Sequence, residues 1–273
     1  MAEDILYNRS ARVRVGNLGG DGKDFSGLRV QFSVEKTSES NPNASKITIF
    51  NLNPDSRAFL EQQNLSVILE VGYEPPGLEP FLEILTVGDI KRGKVKNERQ
   101  GTEWASTLEL GDGEIALQEK FFNKSFEPGV SLSKVVGEVA ESFGKPVNTI
   151  IGLKDKVFNS GLNLSGGSKQ ILDTLTVDAG LEWSIQDDEV QILPPTGNTN
   201  DEVIVFSPQT GLLSSPIKRE QGVEFTALIN PRVRPGRRIR IESRDITGNF
   251  RVRKAFFNGD TLEGDWTMRV ECV

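Results

Sequence analysis

Residues 33–73 constrain the fold more than any other stretch of the chain. Val34 leads out of a strand into a polar turn over residues 38–45. Residues 46–51 (KITIFN) form a second strand, with Ile47, Ile49 and Asn51 on one face and Thr48 and Phe50 on the other. Asn53-Pro54-Asp55 starts a helix. Asn can cap the first free N–H groups, and Pro at the first helical position loses no hydrogen bond. Asp55 adds a negative charge where the helix dipole favours it. The helix ends near Gln63-Asn64, and residues 65–73 return as a strand. Strand, short capped helix, strand is the plan of a β-barrel or sandwich with a helix plugging one corner. Nothing in this stretch is chemically reactive, which points to a scaffold.

The flanking sequence continues in the same style. Residues 12–15 (RVRV) alternate as a half-buried strand, and Gly19-Gly20-Asp21-Gly22 is a turn signal. A phosphate-binding glycine loop is excluded there, because no GKS or GKT and no helix pattern follows. Residues 28–34 alternate again and are expected to close a hairpin with the first strand. Residues 81–87 form a strand, and residues 88–103 form a polar, charged hairpin arm or loop. Residues 104–110 end this first β unit.

The period then changes. Leu132, Val135, Val136, Val139, Ala140 and Phe143 follow Ser131 at helical spacing, and Gly144 and Pro146 stop the run. A second helix starts at Ser168, with Ile171, Leu172, Leu175 and Ala179 inward and Gly180 as terminator. A hairpin follows, residues 181–186 and 189–193, turning at Asp187-Asp188. The Pro- and Gly-bearing residues 194–198 read as a linker. The remainder is β again: residues 202–206, 222–229, 238–243, 250–256 and 266–272, with Asn258-Gly259-Asp260 read as a turn. The fold class is therefore mainly β with an α+β insert. The expected units are residues 1–112, 113–195 and 196–273.

Composition narrows the function. With 273 residues, 36% hydrophobic and 26% charged, the chain has the make-up of a folded globular protein. No apolar run is long enough to span a membrane, so no membrane insertion is expected. The N-terminus lacks the layout of a signal peptide, so release by cell lysis is one route outward. Histidine is absent, which removes Ser-His triads and nearly all zinc sites. The single cysteine, Cys272, can form no internal disulfide. Carboxylates for sugar hydrolysis come down to Asp187, Asp188 and Glu189, and to Asp112 with Glu114, all in expected turns. Asp187-Asp188-Glu189 lacks calcium-loop spacing. Trp104, Trp183 and Trp266 lie in alternating strands, where core packing is expected over sugar stacking. Nothing calls for a cofactor, a metal or a catalytic residue. Charge is uneven: residues 109–189 hold 14 acidic and 7 basic side chains, and residues 219–254 hold 10 basic and 4 acidic. The basic strands alternate and carry no nucleic-acid motif. Their Arg and Lys side chains are expected to share one face, lining a groove or an interface.

Four segments in order carry a family resemblance: FSVEKTSESNPNASKITIFNLNPDSRAFLEQ running into VILEVGY, VSLSKVVGEVAESFG, SGGSKQILDTLTVDAGLEWSIQDDEVQILP, and the closing TGLLSSPIKREQGVEFTALINPRVRPGRRIRI with FRVRKAFFNGDTLEGDWTMRVEC. Over nearly its whole length the chain resembles the baseplate hub proteins of contractile-tailed phages, a family related to the N-terminal part of type VI secretion spike proteins. The resemblance implies two tube-type β-barrel units flanking a small α+β domain. It implies a homotrimeric ring of six barrels, with the tail tube or a tube-initiator protein on one side and the central spike on the other. A tape-measure protein, and later DNA in transit, would occupy the channel. The place implied is the virion tail baseplate, after assembly in the host cytoplasm. No lysozyme-like insert or spike repeat is present, so wall-degrading activity would belong to a partner. The two β units differ in length, which would have one barrel borrow strands from elsewhere in the chain. The interface residues expected on this basis are Arg238, Arg240, Arg251, Arg253 and Lys254 on the last strands, and Lys91, Arg92 and Lys94 on the arm. Two other readings stay open: a carbohydrate- or wall-binding tail module, which would expose tryptophans on one surface, and a histidine-free carboxylate hydrolase.

Overall fold

A computed structural model of the chain describes residues 8–17, 22–77, 80–199 and 201–273. The expected turn residues Gly19, Gly20 and Asp21 lie outside them. The first β unit holds β1 (Arg9–Gly16), β2 (Gly22–Ser26), β3 (Val30–Thr37), β4 (Ala44–Phe50), α1 (Pro54–Leu60), β5 (Ser66–Tyr73), β6 (Phe81–Gln100) and β7 (Glu103–Gly111). The insert holds α2 (Glu114–Glu119), β8 (Phe121–Phe126), β9 (Val130–Ser131), α3 (Leu132–Glu141), β10 (Val147–Ile150), β11 (Val157–Phe158), β12 (Leu162–Gly167), α4 (Ser168–Asp178), β13 (Glu182–Gln186) and β14 (Glu189–Leu193). The last part holds β15 (Ile204–Phe206), β16 (Ile217–Arg219), β17 (Gly222–Leu228), β18 (Arg238–Glu242), β19 (Thr247–Asp260) and β20 (Trp266–Cys272). The protein is mainly β with a small α+β insert.

Both β units belong to one 13-stranded sheet, ordered β16-β17-β20-β19-β3-β4-β7-β6-β5-β1-β2. Strand β18 branches from β19, and β15 runs parallel to β18. The seam is the antiparallel pair β3–β19, with Val34 opposite Phe257 and Gln31 opposite Asp260. A strand of the first unit therefore completes the sheet of the last. Charge reinforces the seam. The Arg29 Nη2 donates to Asp260 at 2.7 Å, and the Gln31 amide donates to the same carboxylate at 2.7 Å. Tyr73 adds a third tie, its buried hydroxyl donating to the Ile229 carbonyl at 3.1 Å.

Two corrections to the strand plan have local causes. The partner of β1 is β2, not residues 28–34: Val13 pairs with Phe25, and β3 turns away to β4 and β19. Residues 258–260 are strand, and the turn comes after them. Gly259 is a packing glycine there, since a Cβ would lie 2.3 Å from the Phe32 ring and 2.9 Å from Trp266.

Helix α1 forms as its caps direct. The Asn53 side chain accepts from the Ser56 N–H at 2.8 Å, and Leu60 is fully buried. It stops at Leu60, a few residues before the expected end. Asn51 does not extend β4. It adopts the left-handed conformation (φ 60°), and its N–H donates to the Trp104 carbonyl at 2.7 Å. Of the two forms expected for residues 88–103, the hairpin arm is the one present: the outer half of the 20-residue strand β6 pairs with β7.

The apolar interior is divided in two. One cluster joins both β units and includes Val13, Val34, Ile49, Leu69, Phe225, Ile239, Phe257 and Val270. The other lies within the insert and includes Val136, Phe143, Leu172, Trp183, Ile185 and Val190. The two clusters share no residue.

Candidate functional site

The basic side chains expected at an interface fall in two places. Lys91, Arg92 and Lys94 are on the outer half of β6. With Glu61, Gln63, Glu114 and Gln118 they line a polar cavity of about 780 Å³ between the arm, the end of α1 and α2. Within it, Arg92 donates to Gln63 at 3.3 Å and Lys91 lies 3.6 Å from Glu114. Lys94 lies 3.6 Å from Glu109 across the arm.

The second group sits on β18 and β19, and not all of it shares one face. Arg238 and Arg240 are exposed, and Arg240 donates to Glu242 at 2.7 Å along the strand. Arg251 stands opposite Arg238 in the ladder yet is only 5% exposed. Its Nε donates to the Gly197 carbonyl at 2.5 Å, so it pins the linker between insert and sheet. Burial lowers its pKa, against the pull of Glu182. Sequence alternation missed this because the cover, Gly197 of the linker and Glu182 of the insert, comes from distant segments; a bulge follows between Val252 and Lys254. Arg253, in the bulge, is exposed, and Lys254 after it is half-buried with its ammonium 2.5 Å from Glu35.

The most elaborate polar constellation lies where the insert meets the sheet. Asp187 and Asp188 both take positive φ (52° and 74°), the geometry of a two-residue hairpin turn between β13 and β14. That turn delivers Asp187 to Lys36, which is fully buried on β3. The Lys36 ammonium donates to both carboxylate oxygens of Asp187, at 2.6 and 2.7 Å. Asp112, at the end of β7, is also fully buried. It accepts from the Asn43 amide at 3.1 Å and the Thr86 hydroxyl at 3.2 Å. Asn43 reaches on to the Ile185 carbonyl and to Gln186, both at 3.2 Å, and Gln186 donates to the Thr37 carbonyl at 2.6 Å. Burial, then the nearby charge of Asp187, pushes the Asp112 carboxyl up to about 7. Lys36 was legible in principle: Val30, Phe32 and Val34 set the inward phase of β3, and Lys36 is the next residue in it.

These residues form a structural junction. Asp187 is occupied by Lys36, Asp188 pairs with Lys145, and Glu114 accepts from Gln118. Among the described residues, no group of Asp, Glu and Cys is arranged to hold a metal ion. Cys272 is buried, which raises its thiol pKa and holds it protonated. Trp183 and Trp266 are core residues, stacked on Phe143 at 5.3 Å and edge-on to Phe32 at 5.4 Å. Trp104 is not. It is 41% exposed on the arm, with the Arg57 guanidinium 4.2 Å from its ring centre. No helix among the described residues is long and apolar enough to cross a membrane.

No protein-family model and no curated protein matches the chain. Solved structures do. A 43 kDa tail protein of prophage MuSo2 from Shewanella oneidensis superposes with a TM-score of 0.63 at 11% identity, over 97% of this chain and 98% of that one. A tail protein from Neisseria meningitidis gives 0.64 at 12% identity, over 97% and 96%. An Escherichia coli component of the type VI secretion system, described as structurally similar to the T4 bacteriophage tail proteins gp27 and gp5, gives 0.59 at 9% identity, over 96% and 76%. The likeness spans nearly the whole of this chain in each case, and the chain has the fold of these phage tail and type VI secretion proteins.

Proposed function

We propose that this chain is a non-enzymatic structural protein of a phage tail, a trimeric baseplate hub that joins a hexameric tail tube to a trimeric central spike. The observation that carries the reading is the likeness in fold to two tail proteins over almost the full length of both chains. The absence of histidine and the internal pairing of Asp187 and Asp188 fit a scaffold. In this reading residues 1–112 and 196–273 supply two barrel units, and residues 113–195 decorate the ring. Three copies surround a channel that takes a tape-measure protein and later passes DNA. Its other partners are a tail tube or tube-initiator protein and a spike, and its place is the virion tail. The exposed Arg238, Arg240 and Arg253, with Lys254, meet a neighbouring subunit, as does the arm bearing Lys91, Arg92 and Lys94. Arg251 contributes from inside by holding the linker. Obligate rings of this kind need large complementary interfaces.

Light scattering over a concentration series tests the reading. The expected mass is three times 30.1 kDa for the chain alone, or that mass plus the spike's own when the trimer forms only on the candidate spike protein. A monomer under both conditions overturns it.

A further inference from the structure

The junction between insert and sheet differs from both interiors beside it. The two apolar clusters do not merge, and the layer between them is polar. Across it run Lys36 to Asp187, Asn43 to the Ile185 carbonyl and Gln186, and Gln186 to the Thr37 carbonyl. The insert is thus held less by shared apolar burial than by a small set of directional bonds, with fully buried Lys36 and Asp112 among them.

The charges in this layer do not balance when every group carries its usual charge. The Lys36 ammonium is committed to both oxygens of Asp187. Arg234 is 3.8 Å from the same carboxylate and partly solvated, and the outlying Asp188 is met by Lys145. Among the described residues the donors to the Asp112 side chain are the neutral Asn43 and Thr86, with Ser45 behind Thr86 at 3.5 Å. From the other side, Asp89 on β6 is taken by Ser66 at 2.7 Å, and Glu114 on α2 lies by Lys91. An ionised Asp112 is therefore a fully buried negative charge beside the partly buried Asp187, and among the described residues one fully buried cation, Lys36, serves both. A buried charge without its own counter-ion favours the neutral form.

We propose that Asp112, Asp187 and Lys36 form a protonation-controlled latch: one proton held at Asp112 keeps the insert docked on the sheet, and its loss loosens the junction without unfolding either part. The direction follows from linkage. The folded-state pKa, about 7, lies above the ordinary carboxylate value. The stabilisation is complete below about pH 4, the unfolded value, and is lost as pH rises through the folded one. Mildly acidic conditions close the latch and mildly alkaline conditions open it.

Amide hydrogen exchange on the full chain at pH 6 and pH 8 tests this. The junction probes are the Asp112 N–H, bonded to the Asn43 carbonyl, and the Thr37 N–H, bonded to the Asn43 side chain. Relative to amides of β17 and β20, their protection is expected to fall about tenfold or more between the two pH values. In Asp112→Asn, which is neutral at both, it is expected to stay flat. A wild-type junction that keeps its protection at pH 8 overturns the proposal, as does an Asp112→Asn junction that loses protection like wild type. A carbon-detected titration of the wild-type Asp112 carboxyl decides the matter even if the variant does not fold. A midpoint near the ordinary value of about 4 overturns the latch.

Discussion

Asp260 sits at the end of β19 with Arg29, the residue before β3, against it, and its environment acts in two directions. Burial raises its pKa; the Arg29 guanidinium, the Leu262 N–H and the Gln31 amide outweigh burial and hold it down to about 2. A depressed carboxylate stabilises the fold above its unfolded pKa near 4, and that contribution is lost as pH falls through the folded value. Asp260→Asn is expected to lower stability at pH 7 by about 2 kcal/mol and to flatten the decline between pH 4 and pH 2. Urea titrations at several pH values measure both effects. Residues of this kind were the least legible in the sequence. Asp260 stands beside Gly259, a pairing that reads as a turn, and its partner is 231 positions away. Asp112 likewise stands between two glycines, and nothing local marks it as buried. What makes each of them matter is a partner supplied by a distant strand.

Elements are far more legible in the sequence than single residues, because their causes are local. Helices α1, α3 and α4 and the β13–β14 turn follow from caps, apolar spacing and turn residues within a few positions of one another. Asn53→Ala removes the α1 cap and is expected to cost about 1 kcal/mol, read from the urea midpoint with an unchanged slope. The expectations failed where contact with another element sets the local state. Trp104 alternates like a core residue but lies on the arm, out of reach of the apolar cluster, with Arg57 against its ring. Arg251 keeps strand phase in the sequence, yet the linker and Glu182 of the insert cover it. Gly72 is a strand glycine of the same hidden kind. A Cβ there would lie 1.9 Å from the Phe81 carbonyl of the paired strand. Gly72→Ala is expected to force β5 and β6 apart and to lower stability by about 3 kcal/mol, measurable by thermal unfolding.

For the whole molecule, the order of β unit, α+β insert and β unit was readable from changes in hydrophobic period. The fusion of the two β units into one sheet is legible only as a borrowing of strands. Length asymmetry gave the hint, while the β3–β19 register depends on pairing that no short window contains. Assembly belongs to this scale. If Arg238 and Arg240 face a neighbouring subunit, Arg238→Glu with Arg240→Glu should leave the monomer folded and shift the scattering mass towards 30.1 kDa. Both side chains are exposed, so the fold itself is expected to tolerate the reversal.

The β3–β19 seam also sets an order of events during synthesis. Strand β3 leaves the ribosome more than 200 residues before the partner that covers its edge. Until then it presents an open row of backbone donors and acceptors, the kind of edge that recruits foreign strands. The insert contacts mostly itself and can close early, while the sheet must wait for the last strands. Non-local pairing of this sort slows folding and prolongs exposure. A chain cut short before β19 would therefore carry a finished insert on an unfinished, adhesive sheet.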